Sequence, residues 1–311
     1  MNDTLHIYEV GPRDGLQNED SLVETSDKLA LIAGLVDAGL PTIETASFVH
    51  PKLVPQMADA DDVMTRTLAA YPSFPEGPRF VGLVLNEKGY DRALTAGCRH
   101  MAYGVAVSNT FSEQNSGMSS QAALDVGRRL LARAAADGVW MRVYLMTAWV
   151  CPFEGPTNLQ RSIGIASQLW EMGAAELSIA DTIGYAHPLE VGWLMEELGR
   201  RLDISRLAVH LHDTQALGLA NAAAAIRAGV RIVDASVGGL GGCPFAPGAA
   251  GNLATEDLVF LAFKLEMGTG VDYDKLWAVV YKAEALVDRR IGGRIRGWWE
   301  SNAEEPRGLY P

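Results

Sequence analysis

The sequence has few cysteines and no long hydrophobic run. Cys98, Cys151 and Cys243 are its three cysteines; they are odd in number and far apart, which predicts reduced thiols in a reducing compartment. No apolar run approaches the ~18 residues that a membrane-spanning helix needs. The amino terminus lacks the basic and apolar regions of a signal peptide. We therefore expect a soluble, cytoplasmic protein with no membrane partner.

Basic residues are also scarce, since 26 Lys and Arg stand against 38 Asp and Glu and the formal net charge is −12. A surface with this balance repels nucleic acid, and the sequence contains no basic stripe, so we expect no nucleic-acid partner. The same balance disfavours an anionic substrate, which would need local Lys or Arg residues to hold its negative groups.

Eight short apolar segments alternate with longer amphipathic segments along the 311 residues. We predict strands at 5–10, 42–46, 79–85, 101–107, 141–146, 176–180, 207–211 and 232–237. Helices are predicted at 25–38, 121–136 and 221–228, each with a glycine just beyond its end. Eight strand–helix units are typical of a (β/α)₈ TIM barrel. We expect one domain over 1–311, with the barrel at about 5–270 and a C-terminal helical extension at about 271–311.

An open, doubly wound sheet is the competing architecture. It predicts a G-x-G-x-x-G fingerprint directly after the first strand. Here the first strand continues into GPRDGLQNE, which is charged and has no such fingerprint. The sequence therefore favours the barrel.

Unusual polar residues gather where the predicted strands end. They are Arg13 and Asp14 after strand one, Glu44 in strand two, Asp181 and Thr182 after strand six, His210, His212 and Asp213 at strand seven, and Cys243 and Asn252 after strand eight. Catalytic residues of TIM barrels lie at the carboxyl ends of the strands. Each of these residues alone more often has a structural role, so the prediction of an active site depends on their joint placement.

The pair His210 and His212 is the most informative of these residues. Residues at i and i+2 of a strand project from the same face, so both imidazoles can contact one metal ion. We expect strands one and seven to be close neighbours, which brings Asp14 to the same point, and Asn252 can add an oxygen. Two nitrogens with oxygen ligands favour Mg²⁺ or Mn²⁺, although this ligand set leaves zinc open.

A glycine-rich loop, VGGLGGCPFAPGAAGN, follows the eighth strand and has six glycines around Cys243. Such a loop can act as a lid that brings Cys243 over the site and excludes water. The alternatives are a phosphate-binding loop and an irregular connection. Because the loop lacks the Lys-Ser/Thr ending of a P-loop, nucleotide binding is disfavoured.

Six segments together resemble the hydroxymethylglutaryl-CoA lyase family. They are VGPRDGLQNE (10–19), IETASFVHPKLVPQM (43–57), CPFEG (151–155), ADTIG (180–184), HLHDT (210–214) and GGLGGCPFAPGAAGNLATED (238–257). They occur in order over most of the chain. The resemblance implies a (β/α)₈ barrel with C-terminal additions, an acyl-CoA substrate and a homodimer.

The resemblance also implies a divalent cation, Mg²⁺ or Mn²⁺. The family's cation ligands match Asp14, His210, His212 and Asn252. Coordination of a tertiary hydroxyl lowers its pKa, so that the alkoxide can collapse and break the neighbouring carbon–carbon bond. The products are a ketone or keto acid, acetoacetate in the case of hydroxymethylglutaryl-CoA, and acetyl-CoA.

Further roles are implied for four other residues. Arg13 stabilises the enolate product, and Glu44 supports the metal and Arg13. Asp181 matches an aspartate of the family's site, and Cys243 is implicated in catalysis on the mobile loop. The proton that the enolate needs comes from Cys243 or from a metal-site histidine, for which His210 is the better candidate.

Several positions depart from the family pattern near where substrate is held. Asp20 stands where lysine is common, Asn109 follows Ser108 where glutamate is common, and Thr147 replaces a frequent cysteine. The segment QALGLAN (215–221) replaces YGQALAN. The reaction type is therefore expected to persist while the acyl group is open, with citramalyl-CoA or a longer 3-hydroxy-3-alkylglutaryl-CoA as alternatives.

Two other functions compete with cleavage. The isopropylmalate and homocitrate synthases share the RDG and H-x-H motifs and carry out a Claisen condensation, but they usually have a long C-terminal regulatory region. A non-enzymatic binding barrel has no need for an intact metal set together with Arg13 and Cys243. The sequence favours the lyase over both.

Overall fold

Eight parallel strands, β1 to β8, form the centre of the computed structural model, which describes residues 3–19, 21–242, 251–302 and 311. The strands are β1 (His6–Glu9), β2 (Thr42–Ser47), β3 (Arg79–Leu83), β4 (His100–Ala106), β5 (Trp140–Met146), β6 (Glu176–Asp181), β7 (Leu207–Leu211) and β8 (Ile232–Ala235). Each predicted strand is present, within one or two residues of its expected ends. The strands close into a ring, which confirms the predicted TIM barrel.

Helices follow the strands and cover the outside of the barrel. They are α1 (Thr25–Asp37), α2 (Ala60–Ala70), α3 (Glu87–Thr95), α4 (Asn109–Ser116), α5 (Ser120–Asp137), α6 (Leu159–Glu171), α7 (Pro188–Gly199), α8 (Gly218–Arg227), α9 (Thr255–Lys264), α10 (Tyr273–Val287) and α11 (Arg296–Asn302). The glycines predicted to end α1, α5 and α8 have positive φ angles of 90°, 66° and 106°. None of the described helices is long and apolar enough to cross a membrane.

The helix α8 begins three residues before its predicted start. The side chain of Asp213 accepts a hydrogen bond of 2.9 Å from the backbone N–H of Gly218, which satisfies one of the donors left open at the start of a helix. The prediction places the start at Asn221, whereas Leu219 and Ala220 already belong to the helix.

The ring closes between β1 and β8, where His6 pairs with Ile232 and Glu9 pairs with Ala235. Strands one and seven are therefore close in the ring, as expected, but they are not adjacent, because β8 lies between them. The turn after β1 nevertheless carries Asp14 across the end of β8 toward β7, where its Oδ2 lies 4.0 Å from the Nε2 of His210.

The strands separate two apolar layers, one outside the barrel and one inside it. The larger one lies between the barrel and its helices and contains most of the buried Leu, Ile and Val side chains. The smaller one lies inside the barrel and includes Tyr8, Val81 and Tyr144. The fully buried Arg142 of β5 also lies there, with its guanidinium 3.7 Å from the ring centre of Tyr8 and bonded to Asp234 of β8. The inside of the ring is thus partly polar, which prepares it to support a charged site.

Candidate active site

A single π-helical turn, Gly11–Gly15, presents Arg13 and Asp14 at the carboxyl end of β1. The carbonyl of Val10 accepts hydrogen bonds from the N–H groups of Arg13, Asp14 and Gly15 at 2.8–3.1 Å. Such one-turn π bulges are frequent at functional sites. Two charged side chains adjacent in sequence therefore reach the same mouth of the barrel.

The guanidinium of Arg13 lies between two carboxylates. Its Nε donates to Glu44 and its Nη1 donates to Asp14. The other oxygen of Glu44 accepts hydrogen bonds from the hydroxyls of Tyr8 at 2.7 Å and Tyr144 at 2.8 Å. Because Glu44 is fully buried and bonded on both oxygens, it holds the Arg13 side chain in one orientation.

The charges at Asp14 favour its ionised form. Burial alone raises the pKa of this carboxyl, but the positive charge of Arg13, the neighbouring imidazoles and a hydrogen bond from Asn252 bring the pKa well below its usual range. Burial lowers the pKa of Arg13, but the carboxylates of Asp14 and Glu44 raise it above its usual value. Arg13 and Asp14 therefore both carry charge at neutral pH.

The two histidines at β7 point into the barrel mouth as their spacing predicts. The Nε2 atoms of His210 and His212 lie 3.2 Å apart, and both rings are buried. Burial, together with the nearby His210, lowers the pKa of His212 to about 4, so its ring is neutral at pH 7. Ligand atoms of Asp14, His210 and His212 all lie within 4.8 Å of one another.

This arrangement fits a divalent cation. Two ligand atoms bound side by side to one ion at about 2.1 Å lie about 3 Å apart, and the imidazole nitrogens have close to this spacing. A neutral imidazole supplies a lone pair and an ionised carboxylate supplies charge, which are the forms that a metal requires. Asp14, His210 and His212 thus form a cluster that can hold a metal ion.

Asn252 follows the glycine-rich loop and contacts the same cluster. Its Nδ2 donates to the Oδ2 of Asp14 at 2.8 Å and to the carbonyl of Leu240 at 3.1 Å. Its backbone forms an isolated bridge with His212. Asn252 therefore orients Asp14, and its direct binding to a metal stays a prediction. Cys243 lies outside the described residues, as does Asp20.

Asp181 and Thr182, at the end of β6, occupy different positions. Asp181 is fully buried, and its carboxylate accepts backbone N–H groups of Tyr185 at 3.0 Å and Ala186 at 3.1 Å. Burial raises its pKa to about 6. Asp181 thus anchors the loop after β6, and its catalytic role stays a prediction. Thr182 lines the cavity and bonds the N–H of Thr147 at 2.8 Å.

A cavity of about 240 Å³ opens beside the cluster at the barrel mouth. Arg13, Asp14, His210 and His212 form its polar floor. The described part of its wall is largely apolar, with Val49, Val54, Leu83, Leu85, Phe111 and Met146. A substrate placed here meets the charged groups at one end and hydrocarbon side chains along much of the wall, with Gln17, Asn18, Asn115 and Thr182 as further polar contacts.

The sequence analysis did not single out Tyr8, Tyr144, Arg142 and Asp234, which support the site from inside the barrel. Tyr8 and Tyr144 hold Glu44, and Asp234 contacts both Arg142 and His210. A signal was present, because a charged residue inside a predicted fully buried strand is unusual. Arg142 and Asp234 both stand in such strands.

The fold and the site define a class: a (β/α)₈ barrel with a histidine and carboxylate cluster of metal-binding type where its strands end. The HMGL-like family model matches residues 4–281. The chain belongs to the HMGL-like family.

Curated relatives and solved structures agree with this assignment. Mitochondrial hydroxymethylglutaryl-CoA lyase of Mus musculus is 43% identical over 272 residues, which cover 88% of this chain and 82% of the mouse protein. The structure of hydroxymethylglutaryl-CoA lyase from Pseudomonas aeruginosa has a TM-score of 0.91 at 36% identity, covering 97% and 99% of the two chains. An HMG-CoA lyase from Acinetobacter baumannii, solved with coenzyme A and 3-methylmalate, has a TM-score of 0.89 at 32% identity, covering 99% and 98%.

Proposed function

We propose that this protein is a metal-dependent lyase that cleaves 3-hydroxy-3-methylglutaryl-CoA into acetyl-CoA and acetoacetate. The observation that carries the proposal is the cluster of Asp14, His210 and His212 with the guanidinium of Arg13 beside it. The named relatives are lyases for this thioester, and the match covers most of each chain.

The proposed cation is Mg²⁺ or Mn²⁺, held by Asp14, His210 and His212, with Asn252 as an additional ligand. When bound, it polarises the tertiary hydroxyl oxygen of the substrate and lowers the pKa of that hydroxyl. Asn252 supports this ligand set because its amide holds the Asp14 carboxylate at 2.8 Å. The ligand types favour these two ions and leave zinc as the alternative.

Arg13 acts on the charge that develops during cleavage. A base removes the hydroxyl proton, the carbon–carbon bond breaks, and its electron pair passes to the thioester as an enolate. The fixed guanidinium of Arg13 stabilises the enolate oxygen, and Glu44 keeps the guanidinium in place. Protonation of the enolate carbon then gives acetyl-CoA, and the former alcohol carbon becomes the ketone of acetoacetate.

The proton source for the enolate is Cys243 or His210. In this arrangement the Nδ1 of His210 faces Asp234 at 3.1 Å and its Nε2 faces His212 at 3.2 Å. Both ring nitrogens of His210 therefore have partners, Asp234 and His212, which supports metal binding as the main role of His210. The part of Cys243 in proton transfer and the catalytic role of Asp181 stay predictions.

A segment with three arginines favours acyl-CoA binding beside the site, although Arg289 pairs with Glu19 and Arg294 with Asp213. Arg289, Arg290 and Arg294 line a depression of about 440 Å³ that also includes Asn252, so they lie next to the site. The chain as a whole carries a charge of −12, which makes a local basic segment at the mouth suited to phosphates. The side chain of Arg290 is 71% exposed and pairs only with Glu300 among the described residues, at 2.8 Å.

A longer alkyl branch on the substrate is the second candidate. The apolar part of the cavity wall includes Leu83, Leu85, Val54, Phe111 and Met146, and only Arg13 is a lysine or arginine among the described lining residues. A hydrocarbon branch gains free energy from contact with such a wall, at about 0.8 kcal/mol per buried methylene. This favours a 3-hydroxy-3-alkylglutaryl-CoA over citramalyl-CoA as the alternative substrate.

The test is acetyl-CoA release from 3-hydroxy-3-methylglutaryl-CoA with Mg²⁺ or Mn²⁺, and again after EDTA treatment. We expect release that EDTA abolishes and added cation restores. A parallel series with longer 3-alkyl groups measures the second candidate. Release of free CoA from acetyl-CoA and a 2-keto acid, without cleavage of any hydroxyacyl thioester, identifies a synthase instead and overturns the proposal. A homodimer and a cytoplasmic location stay predictions.

A further inference from the structure

A buried pair of charges lies directly behind the proposed metal ligands. Asp234 of β8 is 1% exposed, and Arg142 of β5 is fully buried. One carboxylate oxygen of Asp234 accepts from the Nη2 of Arg142, and the other faces the Nδ1 of His210 at 3.1 Å. The hydroxyl of Ser178 donates to that second oxygen at 3.3 Å.

The placement follows from the register of the barrel. Asp234 and His210 are paired residues of β8 and β7, so their side chains project side by side into the ring. A metal-bound histidine commonly donates its other ring N–H to a carboxylate, which fixes the orientation of the ring. Asp234 is placed to accept that hydrogen bond.

We propose that Asp234 is a positioning residue that fixes the tautomer of His210, an inference that rests on the proposed metal-dependent function. A carboxylate that only accepts requires hydrogen on the Nδ1 of His210. The lone pair then lies on Nε2, the atom that faces Asp14 and His212. His212 differs, because its buried Nδ1 has no hydrogen-bond partner among the described residues.

Arg142 determines which atom of residue 234 faces His210. A guanidinium has donors only, so whichever atom of residue 234 faces it must be an acceptor. Asparagine at 234 has one acceptor oxygen, which Arg142 takes, and its NH₂ group then faces the Nδ1 of His210. Because this NH₂ group donates, Nδ1 of His210 must accept and carries no hydrogen. The ring hydrogen then lies on Nε2, which no longer offers a lone pair to the metal. The isosteric variant therefore selects the wrong tautomer.

The experiment compares wild-type protein with Asp234→Asn. Nitrogen-15 NMR on metal-free protein with labelled histidines reads the tautomer of His210, and calorimetric titration with Mn²⁺ reads the affinity. We expect hydrogen on Nδ1 in the wild type and on Nε2 in the variant, with Mn²⁺ affinity about 10- to 100-fold lower. Neither measurement depends on turnover.

Two further variants separate positioning from general damage. Ser178→Ala removes a donor to the same oxygen and leaves the acceptor unchanged, so we expect the wild-type tautomer and Mn²⁺ affinity within about twofold. The double variant Arg142→Met/Asp234→Asn releases the asparagine oxygen to accept from His210. The double variant is expected to restore the Nδ1–H tautomer and part of the Mn²⁺ affinity. If the two substitutions only caused independent structural defects, their losses of affinity would add together.

Hydrogen on Nε2 of His210 in the metal-free wild type overturns the proposal without any variant. So does an Asp234→Asn protein that keeps the Nδ1–H tautomer or binds Mn²⁺ as tightly as wild type. If wild-type protein takes up no Mn²⁺, the proposed lyase function fails, while the tautomer measurement still decides the role of Asp234.

Discussion

Arg13 and Glu44 form a buried ion pair at the mouth of the barrel in which the guanidinium donates from Nε. Nη1 is bonded to Asp14, and among the described residues no hydrogen bond engages Nη2. Nε and Nη1 therefore hold the guanidinium in position, while Nη2 remains as a donor for the substrate. This is the geometry expected of a group that stabilises a charge only when that charge forms.

Replacement of this guanidinium is expected to affect turnover more than binding. Arg13→Met should lower kcat by about 10²–10³, because a fixed donor to the developing enolate is lost. The measurement is steady-state kinetics of acetyl-CoA release, with Mn²⁺ affinity measured alongside. Arg66→Met, at an exposed pair with Asp62, is the matched control and should leave both values unchanged. Near-normal kcat in Arg13→Met contradicts the enolate role.

Loss of one imidazole is expected to weaken the metal site itself. His212→Ala removes a ring that is neutral at pH 7, because burial lowers its pKa to about 4. Mn²⁺ affinity should fall by at least about tenfold in calorimetric titration. His187→Ala, which removes an exposed imidazole paired with Glu190, should bind as wild type does. Unchanged affinity in the His212 variant excludes it as a ligand.

The base of the glycine-rich loop tolerates no side chain at Gly251. A Cβ atom there would lie 1.9 Å from the carbonyl oxygen of Gly241, so the two chain segments must separate. Gly251→Ala should therefore move Asn252 away from Asp14 and lower Mn²⁺ affinity by about tenfold. Gly242→Ala is the control, since a Cβ there meets no atom of the described residues within 4 Å. Equal affinities for the two variants would show that Asn252 does not support the site.

A buried carboxyl is expected to make stability depend on pH. Burial raises the pKa of Glu9 from 4.5 to about 7, so the folded protein holds a proton there that the unfolded chain releases. Stability from this group is complete below about pH 4.5 and is lost as the pH rises through about 7, by an amount on the order of 3 kcal/mol.

Glu9→Gln tests this dependence without removing the contacts. One oxygen of Glu9 accepts the N–H groups of Gly11 and Val237, and the other bonds the hydroxyl of Thr255, which can rotate to accept from an amide. The free energy of unfolding of the variant, relative to wild type, should increase between pH 5 and pH 8 in urea titrations. A difference that is constant across this range refutes the prediction. Glu9→Ala, which loses all three contacts, should be destabilised at both pH values.

The basic segment at the mouth is expected to act on substrate binding alone. Arg290→Gln should raise KM for the acyl-CoA about two- to fivefold at low salt, with kcat unchanged, because an exposed charge contributes up to about 1 kcal/mol. The difference should shrink at high ionic strength. Arg66→Gln provides an exposed arginine far from this segment in the sequence. A KM that is insensitive to both the variant and salt would remove Arg290 from the phosphate contacts.

The strands and the histidine pair were accessible to sequence analysis because they depend on local patterns. Strands buried on both faces read as short apolar runs, and the i, i+2 spacing of His210 and His212 determines that they share a face. The contact between Asp234 and His210 depends instead on the register between β8 and β7, which no local pattern specifies. The crossing of Asp14 past the end of β8 depends on a one-turn π helix, and five residues of sequence do not reveal it.

The proposed cation would join the two sides of the seam at which the ring closes. Asp14 follows the first strand, whereas His210 lies in the seventh strand and His212 directly after it, and the last strand separates the two sides. A partly folded chain whose first strand has not docked against its last therefore lacks a complete coordination set. Binding of the ion should therefore stabilise only the barrel whose ring of strands is closed. The same metal ion would then serve both the reaction and the folding of the chain.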